Sequence, residues 1–302
     1  MFNPIPLWVW IYGEKERAIE DLLWDLEDAE SGAINSHFST FRVKLHKMDF
    51  VTGATSSDMV EYFKPDLKTK FQLENTFLDP DDPKDDKFPS MLKKKNDPTF
   101  DSQKLHQQLR MSFAKYITHS PNGRRAASGW QFINPEQGGD LYNSNDKHGF
   151  IIDQGAASVS ASASHQLVIM NSEECYSINK PSTGELIVLL RWMLESVKPQ
   201  KFKSGVSARK DPENGPFQHD IPTMVISFLP DAKVRVLYGY FDNGLLKIAH
   251  TKAIEFDNIK YEERMDTLLQ WAWPMICKDT SKPIPMQTIE ESDESDESDQ
   301  PC

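Results

Sequence analysis

Apolar positions change their spacing several times along the chain, and each change marks a predicted element. From Glu14 to Glu30 the residues Ala18, Ile19, Leu22, Leu23, Leu26 and Ala29 recur at three and four with acids on the other face, which predicts an amphipathic helix. Ahead of it, Pro6 to Tyr12 is rich in aromatic and branched residues and ends at Gly13, a composition that predicts a strand. Phe41 to Val51 alternates Phe41, Val43 and Leu45 with Arg42, Lys44 and His46, so a half-buried strand is expected, followed by a short helix around Ser57 to Phe63. Asp101 or Ser102 can cap a helix carrying Leu105, Leu109, Phe113 and Ile117, which Pro121-Asn122-Gly123 stops. Asn134 to Gly149 is turn-rich.

At Phe150 the period falls to two. A long extended run, interrupted near Gly155, sets Ala157, Val159, Ala161, Ala163 and His165 on one face and Ser158, Ser160, Ser162 and Ser164 on the other. Small residues on the first face let a helix approach the sheet closely, and the serine face tolerates water. Ser182-Thr183-Gly184-Glu185 then has capping-box spacing ahead of Leu186 to Val197, which is apolar nearly all round and is expected in the core. Thr223 to Leu229, Val234 to Phe241 and Leu245 to Phe256 form a strand meander joined by Pro230-Asp231 and Asp242-Asn243-Gly244 turns. A closing helix is expected from about Asn258 to Ile276, with Pro274 in its final turn. Strands and helices neither alternate strictly nor segregate, so the expected class is α+β, a mixed and largely antiparallel sheet with helices packed on it.

Composition adds the boundaries. The 302 residues include 34 Lys and Arg against 46 Asp and Glu, a formal charge of -12, and 38% are hydrophobic, with seven Trp and seventeen Phe to fill a core. Glu290 to Asp299 places seven carboxylates in ten residues behind a proline-broken stretch, Lys282 to Pro285. Such a segment buries too little apolar surface to offset its ordering entropy, so 278–302 is expected to be a disordered acidic tail and 1–277 a single globular domain. Without the tail the body carries about -6, an ordinary surface charge. Residues 74–101, with Asp79-Pro80-Asp81-Asp82-Pro83 and Lys93-Lys94-Lys95, read as a charged surface insertion, and 198–220 as a flexible loop that is basic in its first half. No run approaches the length of a membrane span, the start lacks the marks of a secretory signal, and Cys175, Cys277 and Cys302 lack zinc or disulfide spacing. An intracellular protein, cytoplasmic or nuclear or both, is the expectation, with no membrane contact.

Chemistry is sparse. Phosphate-cradling glycine loops, the G-x-S-x-G elbow, H-E-x-x-H and C-x-x-C are all absent from the sequence. Asp153 on one strand and Glu173 or Glu174 after the next could hold magnesium in the manner of a restriction-endonuclease-type nuclease, but the E-x-K pair that such a site needs is missing. His165 and Cys175 invite a base-and-nucleophile reading, against which a core histidine and a small apolar cysteine are the plainer assignment. Arg124, Arg125, Lys198, Lys201, Lys203, Arg209 and Lys210 could make a phosphate-binding surface, with Trp130, Phe132 or Phe202 for base stacking. Ser292, Ser295 and Ser298 each precede acids, the context of an acidophilic kinase. The leading expectation is a non-enzymatic interaction or adaptor protein with a protein partner and no cofactor, its phosphorylatable tail tuning an electrostatic contact. The alternatives are a nuclease-like domain, possibly degenerate, that uses Mg, and a nucleic-acid binder autoinhibited by the tail.

Overall fold

Three central strands bury side chains on both faces, and that requirement organises the molecule. The computed structural model describes residues 7–30, 42–67, 102–119, 129–133, 139–143, 146–159, 164–173, 175–203, 220–242, 244–256 and 260–280. The main sheet runs in the order β1 (Val43–Lys47), β8 (Leu245–His250), β7 (Lys233–Asp242), β6 (Thr223–Leu229), β5 (Gln166–Ser172), β4 (Phe150–Ser158), β3 (Trp130–Ile133), with β9 (Ile254–Glu255) added to β7. The β1–β8 and β5–β6 pairs are parallel and the others antiparallel, so the sheet is mixed and largely antiparallel, as the pattern predicted. A separate ribbon pairs β2 (Phe63–Lys64) with β10 (Met275–Ile276).

Alternation along the strands feeds two cores. Leu167, Ile169, Met224, Ile226, Phe228, Val234, Val236 and Tyr238 point to the side covered by α2 (Ser102–His119), α4 (Tyr261–Ala272) and the β2–β10 ribbon. Val168, Met170, Val225, Leu237, Leu246 and Ile248 point to the other side, where α3 (Thr183–Lys203) lies on the sheet and α1 (Leu7–Asp28) packs on α3. The α3 capping box forms as its spacing requires: the Ser182 amide donates to Glu185 Oε2 at 2.6 Å, and the Glu185 amide to Ser182 Oγ at 3.2 Å. Helix and sheet approach closely at Gly155 on β4, where an added Cβ would stand 1.8 Å from the Trp192 ring. The glycine that looked like an interruption is thus the small residue that admits the helix.

Several expectations are corrected. The aromatic run before Gly13 is the first part of α1, not a strand; β propensity depends on a sheet to pack against, and Gly13 sits in the helix with open space around its Cβ position. Residues 57–62 form turns and extended chain leading into β2, because Ser56 and Asp58 bond to the side chains of β1 rather than to a local helix. The extended run from Phe150 is a hairpin whose arms, β4 and β5, close through the Ser158 amide on the His165 carbonyl, while 160–163 lie outside the described residues. The last helix stops at Ala272, and Pro274 precedes β10 instead of ending a helical turn. β3 was not anticipated. Packing also passes residue 277: Lys278 lies over the Tyr62 ring, and buried Thr280 accepts from the Ser164 amide. The 74–101 insertion and residues 281–302 of the tail lie outside the described residues, as does 204–219 of the expected loop; residues 198–203 of that loop are helical, the end of α3.

Candidate functional site

The candidate acid of β4 sits where the hairpin register slips. Ile152 pairs with Met170 and Gln154 with Ile169, so Asp153 is the extra residue of a β-bulge, a device that re-aims a side chain. From α2, one turn apart, His106 and Arg110 face the hairpin. Arg110 Nε lies 3.2 Å from Asp153 Oδ2, His106 Nδ1 donates to the Leu229 carbonyl at 2.8 Å, and His106 Nε2 meets the Asn171 side-chain amide. Desolvation raises the Asp153 carboxyl above its ordinary pKa, while the nearby Arg110 and His106 pull it back. The result is a four-residue polar seam between helix and sheet.

This seam does not fit a magnesium site. β5 presents Asn171 where a second acid would be needed, and its amide is taken by His106. Glu173 is exposed past the strand end, its amide bonded to the Gly149 carbonyl at 2.7 Å. It lies three to four strand positions from Asp153, roughly 10–13 Å along the hairpin. Among the described residues no group of three His, Cys, Asp or Glu could hold a metal ion. The Arg110 guanidinium already supplies the positive charge beside Asp153. Glu174 lies outside the described residues.

The other candidates separate as well. His165 stands at the start of β5 and Cys175 beyond its end, so the length of β5, roughly 20 Å of strand, separates them and they form no dyad. The His165 ring packs edge-on against Tyr62 and Phe63, with centroids at 5.8 and 5.0 Å, and among the described residues neither ring nitrogen has a hydrogen-bond partner. Burial pushes its pKa down to about 3. The Cys175 thiol faces the Ser177 carbonyl at 3.8 Å. Lys198, Lys201 and Lys203 fall on the last turns of α3. Arg124, Arg125, Arg209, Lys210, Ser292, Ser295 and Ser298 lie outside the described residues.

Two polar clusters escaped the sequence reading. Arg235 of β7 and Glu185 of α3, both fully buried, pair at 2.5 Å, and the same guanidinium donates to the carbonyls of Ser177 and Ile178, fixing the 175–181 loop from beneath. At the sheet edge, His46 Nδ1 lies 2.7 Å from Ser56 Oγ, which donates to Asp58 Oδ1 at 2.7 Å, while Lys44 pairs with Asp58 at 2.6 Å. These contacts tie the loop at Ser56 and Asp58 to the side chains of β1. Only the helical spacing of His106 and Arg110 beside the apolar stripe of α2 could have signalled the seam.

No family model, curated protein or solved structure matched this chain. None of the described helices is long and apolar enough to cross a membrane.

Proposed function

We propose that this is a non-enzymatic interaction protein, whose α+β body presents surfaces to a protein partner and whose acidic tail, phosphorylatable at Ser292, Ser295 and Ser298, adjusts the strength of that contact. One observation supports it above the nuclease-like alternative: Asp153, the strand acid on which a hydrolytic site would depend, is held by Arg110, and Asn171, opposite Ile151 on the next strand, is an amide held by His106. Electrostatics supply the mechanism. Each phosphate adds about 1.5 to 2 negative charges to the seven carboxylates already present, strengthening attraction to a basic surface and steepening its salt dependence.

Labelled single- and double-stranded DNA and RNA, incubated with the full chain with and without magnesium, test the reading against both alternatives. The native protein, Arg110→Ala and Asp153→Ala are expected to leave every substrate intact and unshifted. Magnesium-dependent cleavage that Asp153→Ala abolishes would establish the nuclease reading instead. A gel shift by the native chain that tightens when the 290–299 acids are neutralised would establish the autoinhibited nucleic-acid binder.

A further inference from the structure

The outer face of α1 breaks three local rules at one place. Ile19, Leu22, Leu23 and Leu26 are buried against α3, which leaves Glu20, Asp21, Trp24, Asp25 and Asp28 on the exposed face, with Trp24 74% exposed. An indole that large in water forgoes the burial a Trp normally gains. Asp21 and Asp25 are like charges one turn apart, an arrangement that weakens a helix. The last turn carries no basic residue, so Asp25 and Asp28 oppose the helix dipole. Among the described residues none of Glu20, Asp21, Asp25 or Asp28 makes an ion pair.

The molecule already shows what this end of α1 accepts. Lys147 donates to the carbonyls of Glu27 and Asp28 at 2.7 and 2.9 Å, and Arg191 forks onto Glu27 at 3.0 and 2.7 Å. Both of these cations come from the molecule's own body, and neither covers Trp24. Glu20 and Asp28 flank the indole at one helical turn on either side, so a cation lying over the ring would have a carboxylate above and below it.

We infer that the Trp24 face of α1 is a docking surface for a Lys- or Arg-bearing segment of a partner protein, its cation stacked on the indole and its neighbours paired to Glu20, Asp21, Asp25 and Asp28. This rests on the interaction-protein reading and names the chemistry of the partner. Charge complementarity selects the occupant: the face is anionic, so a phosphate backbone or the chain's own acidic tail is repelled. α3 runs past α1 in the opposite sense, since Arg191 meets Glu27 near the end of α1, so the last turns of α3 lie toward the start of α1, away from the acids that flank Trp24 on its C-terminal side.

A fluorescein-labelled decapeptide of alternating Arg and Ala, titrated against the full-length chain at low and physiological salt with anisotropy as readout, tests the inference. Trp24→Ala, whose melting temperature should match native because the side chain is exposed, is expected to weaken binding about fivefold. Neutralising Glu20, Asp21, Asp25 and Asp28 to their amides is expected to weaken it further and flatten its salt dependence. A third variant neutralises the acids of 290–299 within the full chain. Loss of binding in that variant with Trp24→Ala behaving as native overturns the α1 site and keeps the tail reading. A Trp24→Ala effect that persists with the tail neutralised keeps the α1 site, and an affinity unmoved by that neutralisation counts against the tail. Native protein that ignores the peptide, but binds it once the basic residues of 198–210 are changed to Gln, overturns the inference by showing that the chain fills its own site.

Discussion

At the scale of single residues, the most demanding position is Arg235. A guanidinium with 1% of its side chain exposed is tolerable because Glu185 neutralises it and the Ser177 and Ile178 carbonyls accept from Nη2, while the buried Nε finds no hydrogen-bond partner among the described residues. Arg235→Leu leaves the Glu185 carboxylate buried and unpaired, and is expected to lower stability by about 3–5 kcal/mol in urea titration. Arg235→Leu with Glu185→Leu is expected to recover a large part of that loss. A double variant no more stable than the single one would show that the pair matters chiefly through the loop carbonyls. Nothing in the sequence flagged this contact. Glu185 was legible as half of a capping box, whereas Arg235 sits among strand residues where a charged letter ordinarily means a solvent-facing position, and only the tertiary fold brings the two together.

Elements were read best where local rules and packing agree. The α3 start, the β6–β8 meander and the apolar stripe of α2 were all visible, because a cap, a turn and a helical period each operate within a few residues. Residues 7–12 misled because their strand-like letters carry no information on whether a strand partner exists, and β3, four residues long, is below the length at which periodicity speaks. The hairpin bulge that aims Asp153 toward Arg110 is likewise invisible in the letters, since it is a property of register between two strands. The closest interlock of elements is Gly155 of β4 under Trp192 of α3. Gly155→Ala forces the indole aside and is expected to cost about 1–3 kcal/mol in denaturant unfolding, and Gly155→Ala with Trp192→Phe should cost less than the two single changes added together. Strict additivity would mean that the helix shifts as a body.

For the molecule as a whole, buried histidines set a response to acid. Burial is the leading cause that lowers the pKa of His46, His148, His165 and His250, and His165 is taken down to about 3. Below about pH 6.5 the unfolded chain gains a proton at residue 165 that the folded protein refuses, so this stability is complete above that pH and is lost as pH falls toward 3. Between pH 6.5 and 4.5 the loss from His165 is about 2–3 kcal/mol. His165→Leu is expected to shrink the drop in unfolding free energy over that interval by about this amount, and an identical pH profile would show that the ring takes up its proton in the folded state.

The parallel closure of β1 on β8 joins Val43 to Leu246, and the β2–β10 ribbon joins Phe63 to Ile276, each across about two hundred residues. On a translating ribosome, at about 5–20 residues per second, the first quarter of the chain waits on the order of ten to forty seconds for those partners to emerge. The β1 edge of the sheet and, after it, the β2–β10 ribbon are therefore completed late in synthesis, and until β8 emerges the apolar flank of β1 depends on whatever shields nascent chains from one another.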